Sequence, residues 1–251
     1  MELWSRAWKQ QRLSELADDW LNCTRCGLCE TRKNVVFGEG DPDADLVFIG
    51  EGPGNSEDET GRPFVGSSGE LFDIVLGAAD IDRCDVFITN LVGCRPPGNR
   101  DPAREEKQAC IGRVHETVYL IDPLVIVTLG KVPLQALAKG RAWSIEKEHG
   151  QLFSSPAPSA RSQGDKCGVE IPGRVFPRTG DDKKKYHLEY DLVPLFHPAY
   201  LARTDSYNRR TKEFVQGGPT QNTVKDLRQV IERVQQLKEQ YDIVAKDISR
   251  R

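Results

Sequence analysis

The stretch LVFIGEGPG, residues 46–54, joins a short apolar run to a loop in which every second residue is glycine. An unbroken apolar run of this length is typical of a strand buried on both faces, as in a parallel sheet. Three other runs have the same character: DVFIT (85–89), LVIVTL (124–129) and LVPLF (192–196). Pro194 predicts an edge or irregular strand for the last run, because proline has no N–H for a sheet ladder.

Helical patterns lie around and between the four runs. The predicted helices cover residues 4–20, 67–79, 101–120, 133–139 and 221–240. Two of them carry start signals, since Ser67 with Glu70 predicts a capping box and Asp101 before Pro102 predicts an N-cap. Strands that alternate with helices predict an α/β fold, a three-layer α/β/α sandwich, in a single domain that spans residues 1–251.

Residues 141–190 interrupt this alternation. The part from 151 to 185 is rich in serine, proline, glycine and basic side chains. Long segments without periodicity are usually functional or disordered. We therefore expect an irregular insertion, with a hairpin around Val169–Phe176.

The composition excludes several classes of protein. The chain has 251 residues, of which 38 % are hydrophobic and 29 % are charged, so it can bury a core and is not disordered throughout. No apolar run approaches the ~18 residues that span a bilayer, and we expect no membrane association and a place in the reducing cytoplasm. The net charge of −3 argues against a broad basic surface that coats DNA.

Three kinds of side chain follow the predicted strands at their carboxyl ends. The first strand runs into the glycine loop at Gly50, the second into Asn90, and the fourth into His197. Ligands of an open parallel sheet bind beyond the carboxyl ends of the strands. The sequence therefore predicts a site at which a glycine loop, an amide and an imidazole converge.

The cysteine spacing indicates a metal or cluster site. Cys23 and Cys26 form a C-x2-C pair, and Cys94 and Cys110 lie far along the chain. Four thiolates of this kind can hold zinc or an iron–sulfur cluster, and the split second pair fits a cluster better. Cys29 could replace one member of the close pair, and buried thiols without a ligand are the remaining alternative.

Several long motifs resemble the family 4 uracil-DNA glycosylases. They are CTRCGLCETRKNVVFGEG (23–40), GEGPGNSEDETGRPFVGSSGELFD (50–73), TNLVGCRPPGNRDP (89–102) and HPAYLAR (197–203). The resemblance covers most of residues 23–140 and 190–205, with the motifs in the same order and spacing. It implies a four-stranded parallel sheet in an α/β/α fold and a 4Fe–4S cluster.

The resemblance also assigns roles to individual residues. The cluster ligands fall on Cys23, Cys26, Cys94 and Cys110. The base-binding and catalytic positions fall on Glu51, Gly52, Glu57, Phe64, Asn90 and His197. Asn90 matches the asparagine that reads uracil, Phe64 the ring that stacks on it, and His197 the histidine of the HPA motif. Glu51 and Gly52 match the loop near uracil and the attacking water, and Glu57 matches a carboxylate near the C5 edge.

These residue types suit the excision of uracil. One amide can accept from uracil N3–H and donate to O4, whereas cytosine reverses that pattern and leaves buried groups unpaired. His197 is the candidate donor to O2, where negative charge develops as the base departs. Glu51 is the first candidate for the general base, and a largely dissociative reaction without a strong base is the alternative.

Contacts to the DNA backbone are expected to be local. Ser67 and Ser68 at a helix start can hold a phosphate, Arg203 follows the HPAYL loop, and Leu201 could wedge into the gap left by the flipped base. The predicted protein is a monomeric glycosylase that removes uracil from DNA and starts base excision repair. The alternatives are a catalytically silent iron–sulfur protein that binds damaged or single-stranded DNA, and a zinc-stabilised α/β domain.

Overall fold

A computed structural model describes residues 5–138, 143–154, 190–204 and 206–249. The strands are β1 (Glu39–Gly40), β2 (Leu46–Gly50), β3 (Phe87–Asn90), β4 (Val125–Leu129), β5 (Phe153–Ser154), β6 (Asp191–Leu195), β7 (Tyr207–Asn208) and β8 (Glu213–Phe214). The α-helices are α1 (Arg6–Leu21), α2 (Asn55–Thr60), α3 (Ser67–Ala78), α4 (Arg104–Ile121), α5 (Lys131–Leu137), α6 (Ile145–Glu148), α7 (Pro198–Arg203) and α8 (Pro219–Ser249). Short 3-10 helices span Gly27–Glu30, Arg83–Asp85 and Pro97–Asn99.

Six strands form the central sheet, in the order β1-β3-β2-β4-β6-β5. The inner four run parallel, whereas the two-residue strands β1 and β5 pair antiparallel at the two edges. An α/β fold with a mostly parallel sheet is thus confirmed. The prediction of a four-stranded sheet is wrong in the number of strands, because two-residue edge strands leave no apolar run for a pattern to reveal.

The strand with a proline is not at the edge of the sheet. β6 pairs with β4 on one side and with β5 on the other, so the prediction from Pro194 is wrong. β5 pairs only with Asp191 and Leu192, which leaves Pro194 beyond its end. No N–H is needed there, and the Pro194 carbonyl accepts a 2.8 Å hydrogen bond from the Gly150 N–H.

The sheet separates two apolar layers because neighbouring side chains on a strand point to opposite faces. Val47 and Ile49 of β2 join the core that contains the apolar side of α1 and α4, whereas Leu46 and Phe48 join the core of α3 and α8. All five residues of β2 are buried, as are those of β4 and β6. Helices therefore cover both faces of the sheet.

Two helix starts differ from the predicted caps. α3 begins at Ser67 with Gly66 as its N-cap, so Ser67 does not cap the helix. α4 begins at Arg104 rather than at the predicted Asp101, because Glu106 binds the Ala103 N–H at 2.7 Å in the first turn. Asp101 is consequently free of the helix.

The predicted insertion at 141–190 lies partly outside the described residues, and so does the hairpin around Val169–Phe176. The described residues 143–154 contain the short helix α6 and the edge strand β5. The last helix is longer than the predicted 221–240, because it begins at Pro219 and reaches Ser249. None of the helices in the described ranges combines the length and the apolar composition that are needed to cross a bilayer.

The Phe48 ring tests how much the core between the sheet and α3 contributes to stability. It is fully buried and meets the Phe72 ring edge-on, with centroids 5.2 Å apart. Phe48→Ala is expected to lower the free energy of unfolding by about 3–5 kcal/mol, measured by urea denaturation. Val215→Ala, at a half-exposed side chain, should change it by less than about 0.5 kcal/mol. A Phe48 variant as stable as the Val215 control would contradict this packing.

Candidate active site

A cavity of about 520 Å³ opens at the carboxyl ends of β2 and β3 and beside the start of α7. The predicted site residues that line it are Glu51, Gly52, Glu57, Phe64, Ser67, Ser68, Asn90, His197 and Arg203. The convergence follows from the sheet, since parallel strands end on the same side. Gly50 and Asn90 are register partners on neighbouring strands.

The side-chain amide of Asn90 and the ring of Phe64 both pack against the backbone of Gly50. A Cβ placed on Gly50 would lie 2.6 Å from Phe64 Cζ and would also overlap the side-chain oxygen of Asn90. Only glycine leaves room for both groups at this point. The ring and the amide therefore share one wall of the cavity because the strand ends in a residue without a side chain.

Asn90 is the last residue of β3 and is 1 % exposed. Its Oδ1 is buried and has no hydrogen-bond partner among the described residues. A buried acceptor without a partner is costly, and such groups in folded proteins often await a ligand or a water molecule. The Asn90 amide is thus a fixed acceptor at the cavity wall.

Phe64 is held in an unusual backbone conformation, with φ of 50°. Its backbone packs against Gly69 of α3, where a Cβ would overlap the Phe64 carbonyl group. The ring centroid lies 5.2 Å from that of Phe72 and 6.0 Å from that of His197. Left-handed conformations outside glycine cluster at functional sites, and here the conformation turns a largely buried ring toward the cavity.

Glu57 braces two loops of the site. One carboxylate oxygen accepts the N–H groups of Val65 and Gly66 at 2.9 and 2.8 Å, and the other accepts the Gly54 N–H at 3.0 Å. Ionised carboxylates bound by several backbone donors make strong hydrogen bonds. The glycine loop and the loop that carries Phe64 are consequently tied together through this one side chain.

His197 caps α7 and is fixed in one tautomer. Its Nδ1 accepts the Ala199 N–H at 3.1 Å, which leaves the proton of the neutral ring on Nε2. Burial, with a smaller effect from the charge of Arg203, lowers the pKa of His197 to about 4. The imidazole is therefore neutral at physiological pH and can donate a hydrogen bond from Nε2.

Glu51 is a half-buried residue of the glycine loop that follows β2. Burial and the neighbouring charge of Asp101 raise the pKa of Glu51 to about 7. A carboxyl with a pKa near the working pH is suited to take or give a proton. Asp101 lines the same cavity, and its role was missed in the sequence because the residue was assigned to a helix cap. The sequence did place Asp101 in the TNLVGCRPPGNRDP motif, which follows the second strand at the expected site, and this position could have marked it as a site residue.

The residues predicted to contact DNA are only partly placed for it. Ser67 and Ser68 lie in the first turn of α3, where backbone N–H groups lack helical partners, and Arg203 lies at the end of α7. Leu201 is 2 % exposed and packs into the core with α3 and α8, so the prediction that it wedges into DNA is wrong. The neighbouring Tyr200 is 39 % exposed instead.

The predicted cluster ligands line a second cavity. Cys94 and Cys110 are buried, and Cys23 and Cys26 are half-buried around the same space. Cys29 does not line this cavity, Cys84 is exposed, and Cys167 lies outside the described residues. Arg113 also lines the cavity, and its buried Nε has no hydrogen-bond partner in the described part of the chain.

The cysteines that line this second cavity are ligands of the kind that zinc or an iron–sulfur cluster takes. Within the described ranges, no three His, Cys, Asp or Glu side chains lie close enough to hold one metal ion. Tetrahedral zinc with Zn–S bonds of about 2.3 Å would need sulfur atoms about 3.8 Å apart. A cluster binds each cysteine through a different iron, and its sulfur atoms could accept from Arg113.

Together, the aromatic ring, the amide acceptor and the neutral imidazole define an α/β protein with a binding site for a planar ring that carries hydrogen-bonding groups. Residues 37–217 match the family described as the uracil DNA glycosylase superfamily, and the chain belongs to that family. The match leaves out Cys23 and Cys26, which precede it.

Individual relatives agree with this assignment. The chain is 46 % identical over 199 residues to a type-4 uracil-DNA glycosylase of Pyrobaculum aerophilum, covering 77 % of this chain and 84 % of the relative. It is 37 % identical over 202 residues to a type-4 uracil-DNA glycosylase of Thermotoga maritima, covering 80 % and 89 %. A type-5 uracil-DNA glycosylase of Thermus thermophilus matches at 34 % over 117 residues, 41 % of this chain and 53 % of the relative.

Gly50→Ala tests the shared wall of the site. The added methyl group must displace the Phe64 ring and the Asn90 amide, so the free energy of unfolding is expected to fall by about 1–3 kcal/mol. Gly77→Ala is the matched control, because a Cβ there meets nothing within 4 Å and alanine favours the helix by roughly 0.5–1 kcal/mol. Urea denaturation measures both. Equal stability of the two variants would show that the site can accommodate a Cβ at position 50, which contradicts the close packing described here.

Asp101→Asn tests the cause of the Glu51 shift. Removing a like charge should lower the pKa of Glu51 below about 7, yet leave it above the ordinary 4.5 because burial is the larger cause. The measurement is a pH titration of the Glu51 carboxyl signal by ¹³C NMR. Asp73→Asn, on α3, should leave this pKa unchanged. An unaltered pKa of Glu51 in the Asp101 variant would show that the charge of Asp101 does not act on Glu51.

Proposed function

We propose that this chain is a uracil-DNA glycosylase of the type-4 kind. It hydrolyses the N-glycosidic bond of uracil in DNA and leaves an abasic site, which starts base excision repair. The observation that carries the proposal is the buried Oδ1 of Asn90, which lacks a partner among the described residues and lies beside the Phe64 ring. A flipped uracil supplies what this acceptor needs.

The Asn90 amide reads the edge of the base. Uracil N3–H donates to Oδ1, and the amide nitrogen donates to uracil O4. Cytosine has an acceptor at N3 and a donor at C4, so both contacts would fail, at about 1–3 kcal/mol for each unpaired buried group. The Phe64 ring supplies a stacking face worth roughly 1–3 kcal/mol. Glu57 holds the two loops in place and lies at the C5 edge of the base.

His197 stabilises the departing base as a neutral donor. With Nδ1 occupied by the Ala199 N–H, the Nε2–H faces uracil O2, where negative charge accumulates as the bond breaks. A preorganised donor of this kind contributes about 3–4 kcal/mol to the transition state. The lowered pKa of His197 means that the ring acts through a hydrogen bond rather than by transferring a proton.

Glu51 is the proposed general base. At a pKa of about 7, roughly half of the molecules carry an ionised Glu51 at neutral pH, and the carboxylate can orient and deprotonate a water molecule above Gly52. In a dissociative reaction the glycosidic bond breaks before water attacks. The resulting sugar cation then reacts with water without the help of a strong base, so ionisation of Glu51 matters less. The two routes differ in whether the rate follows the ionisation of Glu51.

The DNA is held by local contacts. The first-turn N–H groups of α3 at Ser67 and Ser68 bind one phosphate, and Arg203, which lines the same cavity, supplies a positive charge. This limited grip suits a chain with a net charge of −3. Unstacking and flipping the nucleotide costs a few kcal/mol, which binding of the base in the pocket offsets.

Cys23, Cys26, Cys94 and Cys110 hold a 4Fe–4S cluster in this proposal. The cluster would be structural and would join the N-terminal segment to the loop after β3 and to α4. Because cysteines that are not paired in disulfides are typical of reducing compartments, we place the protein in the cytoplasm. We further propose that it acts as a single-domain monomer on DNA that contains uracil.

Release of uracil from DNA tests this function. The protein is incubated with single- and double-stranded oligonucleotides that contain one uracil, and alkali then cleaves any abasic site. Strand cleavage at the uracil position is expected. Binding of the oligonucleotides without cleavage would identify a catalytically silent DNA-binding protein instead, and zinc without acid-labile sulfide would exclude the cluster.

Asn90→Ala should lower kcat/KM for uracil excision by at least about tenfold, since two hydrogen bonds to the base are lost. Asn222→Ala is the matched control, because this half-buried side-chain amide donates to the Gly217 carbonyl, away from the residues that line the cavity. Iron and sulfide content should be unchanged in both variants. Full activity of the Asn90 variant would refute the proposed reading of the base.

A further inference from the structure

Arg113 lies inside the protein between the two cavities. It belongs to α4, and its side chain is 0 % exposed and among the largest fully buried ones. A buried guanidinium is costly unless its charge and its donors are compensated. In the described part of the chain, no ion pair joins it to an aspartate or a glutamate.

One side of the guanidinium holds the end of β3. Nη1 donates to the Phe37 carbonyl at 2.7 Å and to Thr89 Oγ1 at 3.0 Å, and Nη2 donates to the Asn90 carbonyl. Thr89 Oγ1 in turn donates to the Phe37 carbonyl at 2.6 Å. These contacts fix the peptide group of Asn90, and the direction of its side-chain amide depends on that peptide.

The other side of Arg113 faces the cysteines. It lines the cavity of Cys23, Cys94 and Cys110. Nε is the guanidinium donor for which no partner is found in the described ranges. Four thiolates around a cluster carry net negative charge, and sulfur accepts hydrogen bonds, so the cluster would supply both missing partners.

We propose that Arg113 is a positioning residue that couples the cysteine-bound cluster to the uracil-reading amide of Asn90. The cluster compensates the buried cation, and the cation fixes the Asn90 carbonyl. The inference rests on the proposed function. It adds that loss of the cluster would disturb uracil recognition through a specific side chain and not only through general loss of stability.

Arg113→Lys tests the coupling, because lysine keeps the charge but cannot reach three separate acceptors. The inhibition constant of free uracil and KM are expected to rise about tenfold, with iron and sulfide content unchanged. In ¹⁵N NMR spectra, the side-chain amide signal of Asn90 should shift. Binding of an oligonucleotide without uracil should stay as in the wild-type protein.

Arg32→Lys is the matched control. Arg32 donates to the Cys23 carbonyl at 2.7 Å and to Cys94 Sγ at 3.5 Å, and neither of these contacts involves the end of β3. Uracil inhibition and the Asn90 signal should remain at wild-type values. Equal effects of the two variants, or no effect of Arg113→Lys, would overturn the coupling.

Thr89→Val provides a second test if Arg113→Lys fails to retain the cluster. It removes an acceptor of Arg113 without touching a cysteine, and uracil inhibition should weaken severalfold at full iron content. An unchanged inhibition constant would overturn the coupling. A wild-type protein that releases no uracil would instead refute the proposed function, and the Asn90 signal would then decide the positioning role alone.

Discussion

The active site depends on the close approach of two side chains to the backbone of one glycine residue. β2 ends at Gly50, and the Asn90 amide and the Phe64 ring occupy the space that any side chain at that position would fill. The parallel pairing of Gly50 with Asn90 makes the approach possible, because it brings both strand ends to the same level. The rest of the pocket is arranged around that wall.

The surrounding groups keep these two side chains fixed by hydrogen bonds that leave the base-facing atoms unused. Glu57 ties the glycine loop to the loop that carries Phe64, and His197 Nδ1 accepts the Ala199 N–H. Arg113 holds the Asn90 carbonyl from behind, while Asn90 Oδ1 stays without a partner in the described ranges. Preorganised donors and acceptors of this kind need little rearrangement when the base arrives.

Sequence patterns predict the strands and the residues that follow them well, since parallel strands bury unbroken apolar runs and present their carboxyl ends together. They fail where tertiary packing determines which side chains are buried and which residues come into contact. The HPAYLAR segment does not reveal that Leu201 turns into the core while Tyr200 remains exposed. Nor can spacing show that Asp101 adjoins Glu51, because the contact depends on where α4 begins. The two-residue edge strands leave no periodic signal at all.

A crystal structure with free uracil tests the central claim most directly. The account predicts that the ring lies against Phe64, with N3 within hydrogen-bonding distance of Asn90 Oδ1 and O2 facing His197 Nε2. Cytosine at the same concentration should leave the pocket without a bound base. Uracil bound elsewhere, or bound with the Asn90 amide turned away from it, would contradict the account.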